Sequence, residues 1–188
     1  MGEMLARQQW LALEPGNSEQ VLALYRVAVS LGAGPAAADL MGQYPTLFKP
    51  VDRLWLDYYQ AVNLLRISAQ TEDPALARTS LTHTLALQDK ILARAPRDHV
   101  LYLSARRDLV VTLVALGEFA QAERESAALQ AQGPLPEYVQ EARADALVGL
   151  GRVDEASLIY RQLATPQRAK DKTLLEKRFY AYSDAERY

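Results

Sequence analysis

The sequence contains no cysteine, and this absence excludes several kinds of chemistry at once. Without thiols the chain can form no disulfide, no zinc cluster built on thiolates and no thiolate nucleophile. Histidine is almost as scarce, because only His83 and His99 are present and no second histidine stands four residues from either. A helical metal site needs such a pair, so we expect both histidines to be surface or capping residues. The sequence therefore predicts no catalytic residue, no metal site and no cofactor.

The charges are nearly balanced, with 21 basic and 23 acidic residues and a formal net charge of -2. Such a chain lacks the positive field that holds nucleic acid by its phosphates, so we expect no nucleic-acid partner. Apolar runs of roughly 18 residues, which could span a membrane, are also missing, and MGEMLARQQW at the start has no apolar signal core. A signal would be missing from an internal fragment too, and the final LLEKRFYAYSDAERY, which reads as a helix reaching a turn, favours that interpretation.

What the sequence has in abundance is the pattern of amphipathic helices. Hydrophobic residues make up 49% of the chain, enough for a continuous core, and the sustained alternation typical of strands is absent. Asp73 and Pro74 form a typical helix start for the run from Ala75 to Ala93. The next helix carries apolar residues spaced by threes and fours, which predicts one buried face. These residues are Leu101, Ala105, Leu109, Val110, Leu113 and Leu116.

A repeat is written twice in the second half of the chain. The stretch LVALGEFAQAE returns as LVGLGRVDEAS at an offset of 34 residues. Gly117 and Gly151 follow the first helix of each copy, where a glycine can adopt the left-handed conformation that ends a helix. Ala122 and Ala156 are predicted to lie where the two helices of each copy approach most closely. The second copy continues the core with Leu147, Leu150, Val153, Tyr160 and Leu163.

The same signals divide the whole chain, 1–188, into a single series of helical hairpins. Upstream of the clear repeats the hairpins do not keep the period of 34 residues, and we interpret them as degenerate or lengthened units. Proline and glycine clusters mark the boundaries. The predicted units are a degenerate hairpin at 17–45, a long hairpin at 50–96, repeats at 97–133 and 134–168, and an incomplete unit at 169–188.

The repeat resembles the tetratricopeptide repeat (TPR), which has the same period and the same turn glycine. With Gly117 and Gly151 aligned on that glycine, other residues match the consensus. They are Leu109, Phe119 and Ala122 in one copy and Ala144, Val153, Ala156 and Tyr160 in the other. The chain departs from the consensus at Arg106 and Gln140, where tryptophan is usual, and at Ser126, where an aromatic residue is usual. The resemblance implies an all-α, right-handed superhelical solenoid of TPR-like helical hairpins.

A narrower resemblance follows the order of the segments, from TEDPALART through LVGLGRVDEASLIYRQLA to LLEKRFYAYSDAERY. In this order the chain resembles the periplasmic TPR region of PgaA-type porins, which export poly-N-acetyl-glucosamine across the bacterial outer membrane. The less generic matches are Arg107-Asp108-Leu109, Pro134 to Pro136 and Phe179-Tyr180. The resemblance implies the periplasmic part of an outer-membrane protein, with two partners: partly deacetylated poly-N-acetyl-glucosamine and the periplasmic polysaccharide deacetylase. Membrane contact would come only through that family's outer-membrane barrel, which this sequence does not resemble.

The binding residues are expected on the first helix of the last complete repeat. Glu137, Glu141 and Asp145 recur at intervals of four and share one helix face, where like charges repel unless a cation lies over them. By the TPR alignment Glu141 and Asp145 face the concave groove, with Tyr138 beside them. Carboxylates suit the ammonium groups of a deacetylated sugar polymer, and a tyrosine ring can stack on a sugar ring. The alternative is that these acids only favour a helix N-terminus and form a solvated face.

Further candidate residues lie on other helices. Asp108 is a second acid for the same groove, unless the neighbouring Arg107 neutralises it. Asp57 and Tyr58 are weaker candidates, since Asp57 can form a surface ion pair with Arg53 one turn earlier. Tyr58 also belongs to a set of residues at the spacing of a buried face, from which one ring could instead be exposed for stacking. The set is Trp55, Tyr58, Tyr59 and Val62.

Two functions are expected, neither of them catalytic: the narrower resemblance implies the first, and the TPR-like repeat allows the second. The first is a periplasmic scaffold that binds the partly deacetylated polymer, the deacetylase, or both, and guides polymer to the outer-membrane pore. The second is a generic adaptor whose groove takes a peptide or a partner helix. An adaptor that clamps a peptide carboxylate needs lysine and arginine in its groove, so the acidic stripe argues against that subtype.

Overall fold

A computed structural model describes residues 17–30 and 33–165 of the chain together with Lys177. Within these residues the structure contains helices and no strand. Residues 31–32 of the degenerate hairpin predicted at 17–45 and, apart from Lys177, the incomplete unit predicted at 169–188 lie outside the described residues. The α-helices, numbered in chain order, are α1 (Ser18–Ser30), α2 (Gly34–Gln43), α3 (Pro50–Gln70), α4 (Pro74–Arg94), α5 (Val100–Leu116), α6 (Phe119–Gln130), α7 (Glu137–Gly149) and α8 (Val153–Leu163), and a 3-10 turn, Pro45–Leu47, follows α2.

The chain divides into two compact units, Met1–Ala105 and Arg106–Tyr188, with the boundary inside α5. In the first unit, α3 and α4 form a hairpin of two 21-residue helices. Asp73 caps α4 as predicted, because its Oδ1 accepts a hydrogen bond from the N–H of Ala75 at 2.9 Å. Pro74 occupies the first turn, where its missing N–H is not needed. This local signal sets where the second helix of the hairpin begins.

Two apolar clusters lie among the described residues of the first unit, and α3 packs against both. The first cluster is built mainly by α1 and α2. It contains Val21, Leu24, Tyr25, Ala28, Ala37, Leu40, Met41 and Phe48. The second cluster joins α3, α4 and the first turns of α5, and it contains Leu54, Ile91, Ala95, Leu101 and Ala105. Leu101 and Ala105 are thus buried, as their spacing predicted.

The buried face of α3 differs from the predicted one. Leu54 and Ala61 are the buried residues of this helix, whereas the aromatic residues expected on the face are only partly buried. The prediction was wrong for Val62, which is 39% exposed. A face that contains Leu54 and Ala61, two turns apart, turns Val62 away from the core.

Polar side chains line the buried side of α4. Ser80, Thr84 and Gln88 recur at intervals of four and are almost fully buried. The Thr84 hydroxyl donates to the carbonyl of Ser80 at 2.9 Å, and it also lies 3.4 Å from the carbonyl of Ala61 on α3. The Oε1 atom of Gln88 is buried and accepts no hydrogen bond from the described residues. The long hairpin is therefore packed partly through polar groups, and among the described residues one of these groups finds no partner.

In the second unit, the two turn glycines have the predicted role. Gly117 and Gly151 have φ angles of 82° and 75°, in the left-handed region. The N–H of the residue after each glycine donates to the carbonyl of Leu113 at 2.9 Å in one copy and of Leu147 at 2.8 Å in the other. These bonds satisfy the last carbonyls of α5 and α7 in the Schellman arrangement. The repeated glycines are confirmed as helix ends.

The core of the second unit follows the repeat, with one exception. Ala122 and Ala156 are fully buried, as predicted for positions of close helix approach. The cluster between α7 and α8 contains Ala144, Leu147, Ala156, Tyr160 and Leu163. Leu150 was predicted in this core but is 39% exposed. It follows the last residue of α7 and therefore lies in the turn instead of on the buried helix face.

A second glycine effect occurs beside this turn, at Gly149. A Cβ atom added there would lie 2.3 Å from Cδ2 of Phe119, the first residue of α6. Only a residue without a side chain permits this approach. The end of α7 therefore packs directly against the Phe119 ring, a contact that the sequence repeat did not reveal.

Candidate functional site

Most of the acidic candidates lie on one helix of the second unit, α7. The helix begins directly after Pro136, and Glu137 stands in its first turn, where an acid interacts favourably with the helix dipole. The helical period then brings Tyr138, Glu141 and Asp145 to one side of α7. We call the set formed by Asp108, Tyr138, Glu141 and Asp145 the acidic face.

Tyr138 joins α7 to α5 at one end of the acidic face. Its hydroxyl donates a hydrogen bond to Oδ1 of Asp108 at 3.1 Å, while the residue remains 46% exposed. Burial of the hydroxyl and the charge of Asp108 raise the pKa of Tyr138 above its ordinary value, against the opposing effect of Arg107. The phenol is therefore a neutral donor at physiological pH. The tyrosine is anchored by its hydroxyl and partly open to solvent.

A lysine of the same chain lies over the other end of the acidic face. The Nζ atom of Lys177 is 2.9 Å from Oε1 of Glu141 and 2.6 Å from Oδ2 of Asp145. The other oxygen of Asp145 accepts a hydrogen bond from the hydroxyl of Tyr160, a buried residue of α8. The side chains of Glu141, Asp145 and Lys177 are 19%, 25% and 31% exposed. The ammonium group is thus held in a partly buried site by two carboxylates.

Both donors in this site keep their protons at neutral pH. Burial raises the pKa of Tyr160, and the hydrogen bond to Asp145 raises it further. Burial lowers the pKa of Lys177, but the hydrogen bonds to Asp145 and Glu141 outweigh this effect and raise it above the ordinary lysine value. The repulsion expected between Glu141 and Asp145 is therefore relieved by a cation that the chain itself supplies.

The arrangement is suited to holding a primary ammonium group. Such a group carries several N–H donors, and charge-assisted hydrogen bonds to carboxylates are among the strongest in proteins.

In the ranges that the structure describes, no group of three or more side chains is arranged to bind a metal ion. None of the described helices is both long and apolar enough to cross a bilayer.

The two histidines lie on the first unit, away from the acidic face in sequence. His83 is an exposed residue of α4. His99 precedes α5, and its Nδ1 accepts a hydrogen bond from the N–H of Leu101 at 3.1 Å. His99 therefore caps a helix, as the sequence predicted.

The candidates of the first unit, Asp57 and Tyr58, are engaged in packing within α3 and α4. Asp57 forms an ion pair with Lys90 of α4 at 2.7 Å, so a cation from the neighbouring helix takes the part that the sequence gave to Arg53. Tyr58 packs edge-on against Trp55 with ring centroids 5.7 Å apart. Both residues belong to the first unit, whereas the acidic face belongs to the second.

We call the site formed by Glu141, Asp145, Tyr160 and Lys177 the ammonium site. Two of its residues, Tyr160 and Lys177, were not predicted as functional. Tyr160 was assigned to the core, which is correct for its ring, but its hydroxyl also holds Asp145. A tyrosine at a core position was the available signal, since a buried hydroxyl usually needs a partner. Lys177 contacts residues that are 36 and 32 positions earlier. No local pattern distinguishes it from the other basic residues of the chain.

A second concave feature lies on another side of α7. It is an open pocket of about 240 Å³ between the end of α6, the loop that follows, α7 and α8. Gln140 lines it and donates from Nε2 to the carbonyl of Leu135 at 2.7 Å. Arg143 lines it too and donates to Oε1 of Gln130. Gln140 stands where the TPR consensus has tryptophan, and its smaller side chain leaves part of this space open.

Comparison with known proteins supports the fold. No protein-family model matches the chain, and no curated protein matches it. A similar solved structure is that of a thermophilic TPR protein in Thermus thermophilus, with 20% sequence identity and a TM-score of 0.54. The alignment covers 97% of this chain and 88% of that chain.

At this level of identity the likeness shows the fold alone. It confirms the predicted fold class, an all-helical fold of TPR-like hairpins. Folds of this class are typical of scaffolds that bind other molecules through extended surfaces. The comparisons do not support the narrower resemblance to PgaA-type porins. The chain is thus similar in fold to TPR proteins.

Proposed function

We propose that the chain is a non-catalytic TPR-like scaffold whose acidic face binds ligands that carry primary ammonium groups. The ligand that we propose is partly deacetylated poly-N-acetyl-glucosamine, bound in the periplasm within an outer-membrane export protein. The periplasmic polysaccharide deacetylase is the proposed protein partner. The observation that carries the proposal is the ammonium group of Lys177 between Glu141 and Asp145.

An amino sugar can make the same contacts as this lysine. Removal of the acetyl group converts a neutral amide into an ammonium group, which can form charge-assisted hydrogen bonds with Glu141 and Asp145. An N-acetylated sugar has no ammonium group and cannot replace Lys177 in these contacts. The site therefore favours the deacetylated units of a mixed polymer.

Tyr138 supports a sugar as the ligand. The residue is 46% exposed and is anchored through its hydroxyl to Asp108. It lies one turn before Glu141 on α7. A ring held in this way loses little conformational freedom on binding, and its face can pack against the apolar face of a pyranose. Acidic and aromatic contacts then act on neighbouring parts of one chain of sugars.

A titration with two oligomers of equal length tests this function. Calorimetry should detect binding of a glucosamine hexamer, and the N-acetyl-glucosamine hexamer should bind several-fold more weakly, since an ion pair with solvent access contributes up to about 1 kcal/mol. The double variant Glu141→Gln with Asp145→Asn should abolish the preference for the amine. Asp57→Asn, which removes the same type of charge from the first unit, is the matched control and should bind like the wild type.

Equal binding of the two hexamers, or binding of neither, would remove the argument for a cationic sugar. The second candidate function is an adaptor that takes a lysine-bearing peptide or partner helix. This candidate is favoured by the fact that the group between Glu141 and Asp145 is itself a protein lysine. A lysine-rich peptide that binds while both sugars fail would establish the adaptor function.

A further inference from the structure

The position of Lys177 bears on how the ammonium site is regulated. Its Nζ uses Oε1 of Glu141 and Oδ2 of Asp145. These two oxygens are the ones that an incoming ammonium group would need. A second ammonium group cannot take the same position between these oxygens, because Nζ of Lys177 already occupies it. A ligand must therefore displace Lys177 or fail to bind.

We propose that Lys177 is a built-in competitor that occupies the ammonium site until a ligand displaces it. The inference rests on the proposed function of the acidic face. It adds that Lys177 fills the ammonium site in most molecules of the free protein. The measured affinity for a ligand is then lower than the intrinsic affinity, because only the molecules whose site is open can bind.

The contact is weak enough to be exchanged. The side chain of Lys177 is 31% exposed, and ion pairs with solvent access contribute about 0–1 kcal/mol. Lys177 is also distant in sequence from both partners. Its release breaks two contacts and no hydrogen bond of α7 itself.

One carboxylate of the site, that of Asp145, keeps its orientation when the lysine leaves. Oδ1 of Asp145 is held by the hydroxyl of Tyr160, and the Tyr160 ring is 1% exposed within the core of α7 and α8. The carboxylate is therefore oriented by a fixed group that does not depend on Lys177. A ligand would meet a preorganised acceptor, which lowers the entropic cost of binding.

The test compares the affinity of the full chain for a glucosamine hexamer in the wild type, Lys177→Ala and Lys177→Met. Methionine keeps an apolar stem of similar length, so it separates the loss of charge from the loss of packing. Both variants should bind about two- to sixfold more tightly than the wild type, because the competing cation is gone. The control is Lys90→Ala, which removes a similar ion pair, between Lys90 and Asp57, from the first unit. It should leave the affinity unchanged.

Equal or weaker binding by both folded Lys177 variants, with the wild type still binding, would overturn the competitor while leaving the proposed function intact. Absence of binding by all proteins, including the folded variants, would instead refute the proposed function and the competitor with it. Circular dichroism checks folding. If both Lys177 variants unfold, the lysine is a structural residue and the proposal is wrong.

Discussion

The two helical hairpins α3–α4 and α7–α8 are built differently, and the difference explains why only one carries the repeat. The first pairs two helices of 21 residues, whereas the second pairs helices of 13 and 11 residues. The two helices of the long hairpin are connected by a turn that contains Asp73 and Pro74. Buried polar residues of α4, Ser80, Thr84 and Gln88, lie inside this hairpin. The short hairpin is joined through Gly151 and packs small and large apolar residues. Short helices with a tight glycine turn preserve the repeat period, and longer helices lose it.

The same difference is the reason why we propose a binding surface in the second unit only. In the first unit the acid on α3, Asp57, is paired with Lys90 of the adjacent helix, and the nearby aromatic rings pack against one another. In the second unit the acids of α7 meet a cation from a distant part of the sequence, and Tyr138 is partly exposed. Carboxylates satisfied by a distant residue are the better candidates for binding.

The largest expected effect comes from core truncation in each unit. Ile91→Ala in the first unit and Leu147→Ala in the second should each lower the free energy of unfolding by about 2–5 kcal/mol, because both residues are fully enclosed. Urea denaturation measures the loss, and hydrogen exchange should report it mainly in the unit that carries the change. A loss below about 1 kcal/mol would contradict the assigned core.

A glycine-to-alanine change should have opposite signs in the two units. Gly149→Ala should cost about 1–3 kcal/mol, because the new Cβ meets the ring of Phe119 at 2.3 Å. Gly42→Ala, in α2, should stabilise by about 0.5–1 kcal/mol, since nothing lies within 4 Å of the added Cβ and alanine favours a helix. Thermal melts of the two variants provide the comparison. If both variants were destabilised, contact with the Phe119 ring would not explain the loss at Gly149.

The unpartnered polar group of the long hairpin gives a smaller, stabilising prediction. Gln88→Met should raise the free energy of unfolding by about 1 kcal/mol, because it removes a buried oxygen that lacks a hydrogen bond from the described residues and keeps the volume. Ser157→Ala, at another buried and unpartnered oxygen of the described residues, in α8, should be neutral or slightly stabilising. Chemical denaturation of both variants tests the comparison. A clear loss at Gln88 would mean that its amide has a structural role.

Alkaline pH should weaken both units, because each contains at least one tyrosine whose pKa is raised. Burial raises the pKa of Tyr25 and of Tyr160 above the value of about 10 in an unfolded chain. The stabilisation is therefore complete below pH of about 10 and is lost as pH rises above it, by about 1 kcal/mol per residue near pH 11. Tyr25→Phe and Tyr160→Phe should each reduce this loss. Denaturation of the wild type and of both variants at neutral and alkaline pH measures this loss of stability. If neither variant changed the pH dependence, the burial of the two tyrosine hydroxyls would be contradicted.

The fold of the second unit was largely predictable from the sequence, because its signals are local. The spacing of Gly117 and Gly151 identified both helix ends, and Ala122 and Ala156 marked the close contacts. The exposure of Leu150 was not predicted, since a residue just past a helix end leaves the buried face without any change in the apolar pattern. The prediction failed for a similar reason in α3. The spacing of the aromatic residues placed Val62 on the predicted buried face, although the buried face contains Leu54 and Ala61.

The candidate site was predictable only in part. The interval of four residues brought Glu141 and Asp145 together, and the need for a cation over them followed from their like charges. The identity of that cation depends on tertiary structure, because Lys177 is far from both acids in sequence. The bond between Tyr138 and Asp108 likewise joins two helices through a contact that no sequence interval encodes.

The most direct test of the central claim, that the acidic face of the second unit is the binding surface, is an NMR titration of the chain with the glucosamine hexamer. We predict that the largest shifts of backbone amides fall between Glu137 and Asp145 and that the amides of α3 around Asp57 and Tyr58 stay unchanged. Largest shifts in α3, or no shifts in either helix, would contradict the account.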